Sequence, residues 1–229
     1  FWWEMLKEII FFKPTASEAL QRCAIKFVTV ERHDPPSWWP DQTPFTNYED
    51  TYIGMAMDID CPFDTSGPET GNENGCNLGR YDDDHEIFYQ IGFGRTGEHP
   101  EYNNYYAGLA LANAGKAGED TIPYGAHNIK NNQYLYPTSP WGWVDTELYG
   151  LASTAGVTIQ DGPSGADSLV DRSQVLTARH IPAGSDANAR ASFTVVEVVA
   201  PTGLSQLQEY VHTARQWAVS YTHLTLPTN

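Results

Sequence analysis

Nine carboxylates lie between Asp58 and Glu86, in the stretch DIDCPFDTSGPETGNENGCNLGRYDDDHE, and Arg80 is the only firm base among them. They are Asp58, Asp60, Asp64, Glu69, Glu73, Asp82, Asp83, Asp84 and Glu86. Holding that much like charge beside a strand end costs Coulomb self-repulsion unless a cation neutralises it. Calcium suits the donors, because it takes about six to eight oxygens from carboxylates, Asn side chains and backbone carbonyls. Asp58, Asp60, Asp64, Asn72, Asn74, Asp82, Asp83 and Asp84 supply enough oxygens if the loop folds back on itself. Asp58 and Asp60 project from the same side of an extended segment. The spacing is not that of an EF-hand. Asn72-Glu73-Asn74-Gly75 fits the centre of that pattern, but Thr70 stands in place of its leading Asp and Tyr81 in place of its bidentate Glu. The expectation is a calcium site of irregular geometry, and the alternative is a solvated acidic loop.

Cys61 and Cys76 fall inside the same stretch. A disulfide closing a loop of about 15 residues is worth roughly 3 kcal/mol in the chain-entropy model, and it would hold the acids together. The bond is expected in an oxidising compartment, and two reduced thiols in the cytosol. Cys23, at the start of a strand, reads as buried and unreactive. Zinc does not fit a lone C-x14-C spacing without C-x-x-C or paired histidines.

The other candidates for chemistry fall short of a constellation. His33-Asp34 leads into Pro35-Pro36 with no partner motif, and His85-Glu86 lacks the second His of a metallopeptidase helix. Gly162-Pro163-Ser164-Gly165-Ala166 misses the last glycine of a nucleophile elbow. In so acidic a chain any two carboxylates could be offered as a glycosidase pair. No catalytic residue is therefore assigned. Aromatic residues carry a better functional signal: Trp38 and Trp39 sit among prolines, and Trp141 and Trp143 cluster with Tyr134 and Tyr136. Loop-borne rings of this kind can stack on sugars, or else cover the edges of a core.

The elements that must position these residues read mostly as strands. Ala24–Glu31, Thr51–Asp58, Glu86–Phe93, Asn104–Leu111, Asn132–Tyr136, Leu169–His180 and Ala189–Val199 alternate with period two and are rich in Val, Ile, Tyr, Phe and Thr. Thr51–Asp58, for example, sets Tyr52, Gly54 and Ala56 against Ile53, Met55 and Met57. The pattern predicts a mostly β fold: an antiparallel β-sandwich, jelly-roll or immunoglobulin-like, each strand with one buried face. Two short accessory helices interrupt it, at Val144–Ser153 and at Leu204–Ala218. In the second, Leu204, Leu207, Val211, Ala214 and Trp217 form one stripe, and Ser205 with Gln208 has capping-box spacing. Thr15 and Glu18 suggest a further short helix.

Composition narrows the class. The chain has 229 residues and a net charge of −16, which gives no electrostatic footprint for nucleic acid. No apolar run approaches the length of a membrane helix, so no membrane insertion is expected. The start FWWEMLKEIIFF, broken by Glu4, Lys7 and Glu8, lacks the parts of a signal peptide. Residues 1–23 read as an uncertain flank and 24–218 as a single sandwich domain. Residues 219–229 read as a non-native tail, since Val219–Thr228 (VSYTHLTLPT) resembles a translated sequencing adapter.

Several segments carry a family resemblance: YIGMAMDIDCPFDTSG (Tyr52–Gly67), IFYQIGFG (Ile87–Gly94), YYAGLAL (Tyr105–Leu111), YLYP (Tyr134–Pro137), GWVDTELYGL (Gly142–Leu151), FTVVEV (Phe193–Val198) and LQEYVHTAR (Leu207–Arg215). Together they resemble β-sandwich modules of large secreted bacterial multidomain proteins, the kind with C-terminal sorting tails. More loosely they are similar to carbohydrate-binding sandwich modules. The resemblance implies a secreted or cell-surface location, a non-catalytic role and neighbouring domains of the same polypeptide as partners. The leading expectation is thus a non-catalytic module with a disulfide-closed, calcium-stabilised acidic loop. The alternatives are a polysaccharide-binding module using Trp38, Trp39, Trp141 and Trp143, and an accessory fragment of a secreted hydrolase.

Overall fold

The computed structural model describes residues 2–33, 37–38, 50–58, 77–92, 105–112, 123–130, 145–159, 172–181 and 190–225. The strands are β1 (Trp2–Phe11), β2 (Cys23–His33), β3 (Thr51–Asp58), β4 (Asn77–Asp82), β5 (Ile87–Gly92), β6 (Tyr105–Ala112), β7 (Gly125–Lys130), β8 (Gly156–Ile159), β9 (Arg172–Ile181) and β10 (Arg190–Ala200). The helices are α1 (Glu18–Gln21), α2 (Asp145–Ala152) and α3 (Leu204–Thr225). A six-stranded sheet runs β1-β2-β10-β6-β5-β4, and a four-stranded sheet runs β3-β9-β7-β8. The fold is a mostly β, sandwich-like one, as the alternation predicts.

The larger sheet is covered on both faces. On β2, Val28 and Val30 join Phe193 and Val195 of β10 and Leu109 and Leu111 of β6 in a cluster shared with Ile53, Leu176 and Ala178 of the smaller sheet. The alternate residues Ile25, Phe27, Ala110, Val196 and Val198 face the other way, onto Leu207, Tyr210, Val211, Ala214 and Ala218 of α3. The expectation of one buried face per strand therefore fails for β2, β6 and β10, which lie at the centre of three layers. Full burial of each such Leu, Val or Phe contributes roughly 1.5–3 kcal/mol. Lys26 and Glu197, on the inter-sheet side, neutralise each other as an ion pair.

Four further differences from expectation stand out. β1, expected as flank, pairs along its whole length with β2. It is an edge strand that leaves Met5, Leu6 and Phe11 exposed, so burial imposes no clean alternation on it. β7 and β8 pair parallel, against the antiparallel expectation. Helix α3 continues past Ala218 to Thr225. There Tyr221 stacks on Trp217, its hydroxyl donates to Glu8 at 2.6 Å, and Thr222 is buried. The helix start also differs from expectation, since Gln206, not Gln208, reaches back to the Thr202 N–H at 3.0 Å. Among the described residues no helix is long and apolar enough to cross a membrane.

Candidate functional site

The acidic segment begins on one sheet and ends on the other. Asp58 closes β3 in the smaller sheet, with its backbone in register with Ser173. Asp82 closes β4 at the edge of the larger sheet. Asp60, Asp64, Asn72, Asn74, Cys61 and Cys76 lie outside the described residues.

Asp82 is occupied by the protein itself. Its Oδ1 accepts from the backbone N–H groups of Asp84 at 3.2 Å and His85 at 3.3 Å. Its Oδ2 takes the His85 ring Nδ1 at 2.9 Å and Gln208 Nε2 of α3 at 2.7 Å. Burial alone would raise the carboxyl's pKa, but the hydrogen bonds from Gln208 and His85 outweigh it and hold the pKa low. Glu86, at φ +54°, turns the chain into β5. Arg215 then fastens the hairpin to α3, donating to the carbonyls of Leu111 (2.8 Å), His85 (2.7 Å) and Glu86 (3.2 Å). Asp83 and Asp84 are exposed at the turn. Among the described residues no three His, Cys, Asp or Glu side chains are grouped to hold a metal ion. Cys23 is buried as expected: its thiol donates to Leu20 O at 3.2 Å, and burial pushes its pKa up to about 11.

A second cluster stands on the outer face of the smaller sheet, and a backbone irregularity creates it. Ile53 pairs with Arg179 and Gly54 with Thr177, so Ala178 is an extra residue in β9. Leu176 and Ala178 both face the inter-sheet core. Strict alternation would send His180 there too. The bulge shifts the phase by one, so Ile181 takes the core position and His180 stacks on its register partner Tyr52. Gly54 makes the bulge possible, since a Cβ there would lie 1.9 Å from the Leu176 carbonyl oxygen.

The imidazole lies over Tyr52 at 4.6 Å and 8°. Tyr124, just before β7, stands 5.4 Å from Tyr52, and Tyr149 of α2 meets Tyr52 edge-on at 5.6 Å. His180 Nε2 is 3.2 Å from an Asp50 carboxylate oxygen. Burial and the hydrogen bond with Tyr124 push the Tyr52 pKa up to about 12.

Next to this cluster the carbonyls at the end of α2 and just past it are held by the sheet and by Tyr124. Thr177 donates to Ala152 O at 3.0 Å, Tyr124 to Ser153 O at 3.3 Å, and His127 Nε2 bonds to Thr154 O at 2.8 Å. Burial holds the His127 pKa below its ordinary value, partly offset by that hydrogen bond. The carbonyl can only accept, so Nε2 is the donor.

Of the predicted ligand-binding tryptophans, Trp38 exposes 67% of its surface, while Trp39, Trp141 and Trp143 lie outside the described residues. The cluster of Tyr52, Tyr124, Tyr149 and His180 went unpredicted. Its one sequence signal is Gly54 within a strand, a mark of bulges and close backbone approach.

The described residues define a β-sandwich backed by a long helix, with an aromatic patch on its smaller sheet. No protein-family model matches the chain, and no curated protein matches it at a significant level.

Proposed function

We propose that the chain is a non-catalytic module of a secreted or cell-surface multidomain protein, set beside neighbouring domains of the same polypeptide. In this reading a Cys61–Cys76 disulfide closes its acidic segment and calcium stabilises it. The observation that supports a non-catalytic role is how four polar side chains, those of Arg215, Thr177, His127 and Asp82, are engaged. Arg215 holds three backbone carbonyls, Thr177 and His127 hold the end of α2, and Asp82 holds a turn and Gln208. Each maintains the fold. The calcium and disulfide parts rest on the nine clustered acids and the two cysteines among them. Two measurements test them. The melting temperature should rise in millimolar calcium and fall with chelator, and equal melting in both would remove the ion. Of the chain's three cysteines, one should react with a thiol reagent in denaturant before reduction and all three after it. Three reactive thiols before reduction would remove the bond.

A second reading, saccharide binding, is favoured by the exposed ring of Trp38 and by the half-exposed Tyr149. It requires retention by a polysaccharide, weakened by Trp38→Ala or by loss of the aromatic patch. A panel of polysaccharides without retention would eliminate it.

A further inference from the structure

We propose that the patch formed by Tyr52, Tyr124, Tyr149, His180 and Asp50 is a subsite for a neutral saccharide. The inference rests on the saccharide-binding reading and gives it a location that the tryptophans do not.

Three observations carry it. First, the rings come from four separate places in the fold (β3, β9, the approach to β7, and α2), yet each stands within 5.6 Å of Tyr52. None belongs to either apolar cluster. Second, the assembly depends on the Ala178 bulge, which costs the β3–β9 ladder its regular pairing and brings His180 out to the surface. Bulges are concentrated beside functional sites, where they re-aim a side chain. Third, the exposed groups match the two kinds of surface on a pyranose. Tyr149 is 49% exposed and offers an aromatic ring to the sugar's C–H face. Asp50, its side chain 42% exposed, offers carboxylate oxygens to ring hydroxyls.

His180 is a positioning residue. Its Nε2 is itself buried, 3.2 Å from the Asp50 carboxylate, and its ring backs Tyr52. Its ring therefore sets where Tyr52 and Tyr124 stand, and its buried Nε2, which makes no hydrogen bond among the described residues, does not touch the sugar. The chain's charge of −16 repels uronic-acid and sulfated polymers, which selects neutral ones.

Affinity gel electrophoresis of the full chain tests this, with hydroxyethylcellulose, galactomannan, laminarin and dextran as neutral probes and polygalacturonate as the anionic one. At least one neutral polymer should retard the chain. Tyr149→Ala should weaken that retardation tenfold or more and Asp50→Asn about threefold, with thermal melting run alongside to show that each variant is folded. Tyr149→Phe, which keeps the ring, should stay within about twofold of the parent, as should the exposed control Val157→Thr on β8. Full retardation of folded Tyr149→Ala and Asp50→Asn would overturn the subsite and leave saccharide binding standing. Retardation by polygalacturonate alone would overturn the neutral class. No retardation by any polymer would overturn the subsite and the reading beneath it.

Discussion

The β4–β5 turn and the outer face of the smaller sheet both gather polar and aromatic side chains, but to opposite ends. At the turn, the Asp82 carboxylate and the Arg215 guanidinium are satisfied inside the protein by backbone groups and by Gln208. On the small sheet, Tyr149 and Asp50 keep much of their surface open to solvent, while His180 and Tyr52 support them from behind. A charged cluster read from sequence can therefore be a structural fastening. A site-like cluster can come from residues that are unremarkable singly.

The strongest way to break this contrast is at the bulge. Gly54→Ala places a Cβ against the Leu176 backbone, where no flexible side chain can yield. It should cost about 3 kcal/mol in urea denaturation. The aromatic patch should lose its tyrosine–histidine stacking while the turn stays intact. A near-parental midpoint would show that the bulge is not a constraint.

Next in size, Arg215→Met strips three carbonyls of their donor and should cost about 2 kcal/mol. The loss should appear as faster amide exchange around residues 83–86, without change at the small sheet. Equal exchange in parent and variant would refute the fastening role.

Asp82→Asn should cost about 1 kcal/mol near neutral pH, because it removes the charge while keeping an acceptor for the turn. The folded carboxyl's pKa is lowered, so its stabilisation is present above the unfolded value of about 3.9 and is lost as pH falls through the folded one. The difference between parent and variant should hold down to about pH 4 and shrink as pH falls below it. A gap that stays constant would rule out the charged interaction.

The smallest expected effect is at His127. Its folded pKa is lowered, so below about 6.5 the unfolded chain takes up a proton that the folded chain refuses. Stability should therefore fall with pH from about 6.5 downward, and His127→Gln should flatten that slope. An unchanged slope would place its origin elsewhere.

Much of the sandwich was legible in the chain. Burial against a flat layer imposes period two, so β3 and most of β2, β5, β6, β9 and β10 showed themselves, as did the apolar stripe of α3. Of the strands that escaped notice, β1 is an exposed edge and the other three have local reasons. β4 (NLGRYD) and β7 (GAHNIK) carry Gly, Asn and charge that pairing partners override, and β8 has only four residues. Asp82 was visible as a carboxylate, but its partner Gln208 lies more than a hundred residues away, so that engagement was not.

The amino-acid sequence by itself determined the layer type, the apolar faces and the placement of half the net charge in one segment, because these follow from residue type and local periodicity. Tertiary structure decided that β2, β6 and β10 are covered twice. It also decided that Asp82 faces a helix and that His180 stands on the outer surface. That last outcome turns on a single extra residue, Ala178. A shift of one position in a two-residue period reverses every side chain beyond it, and only the pairing of β9 with β3 shows where the shift falls.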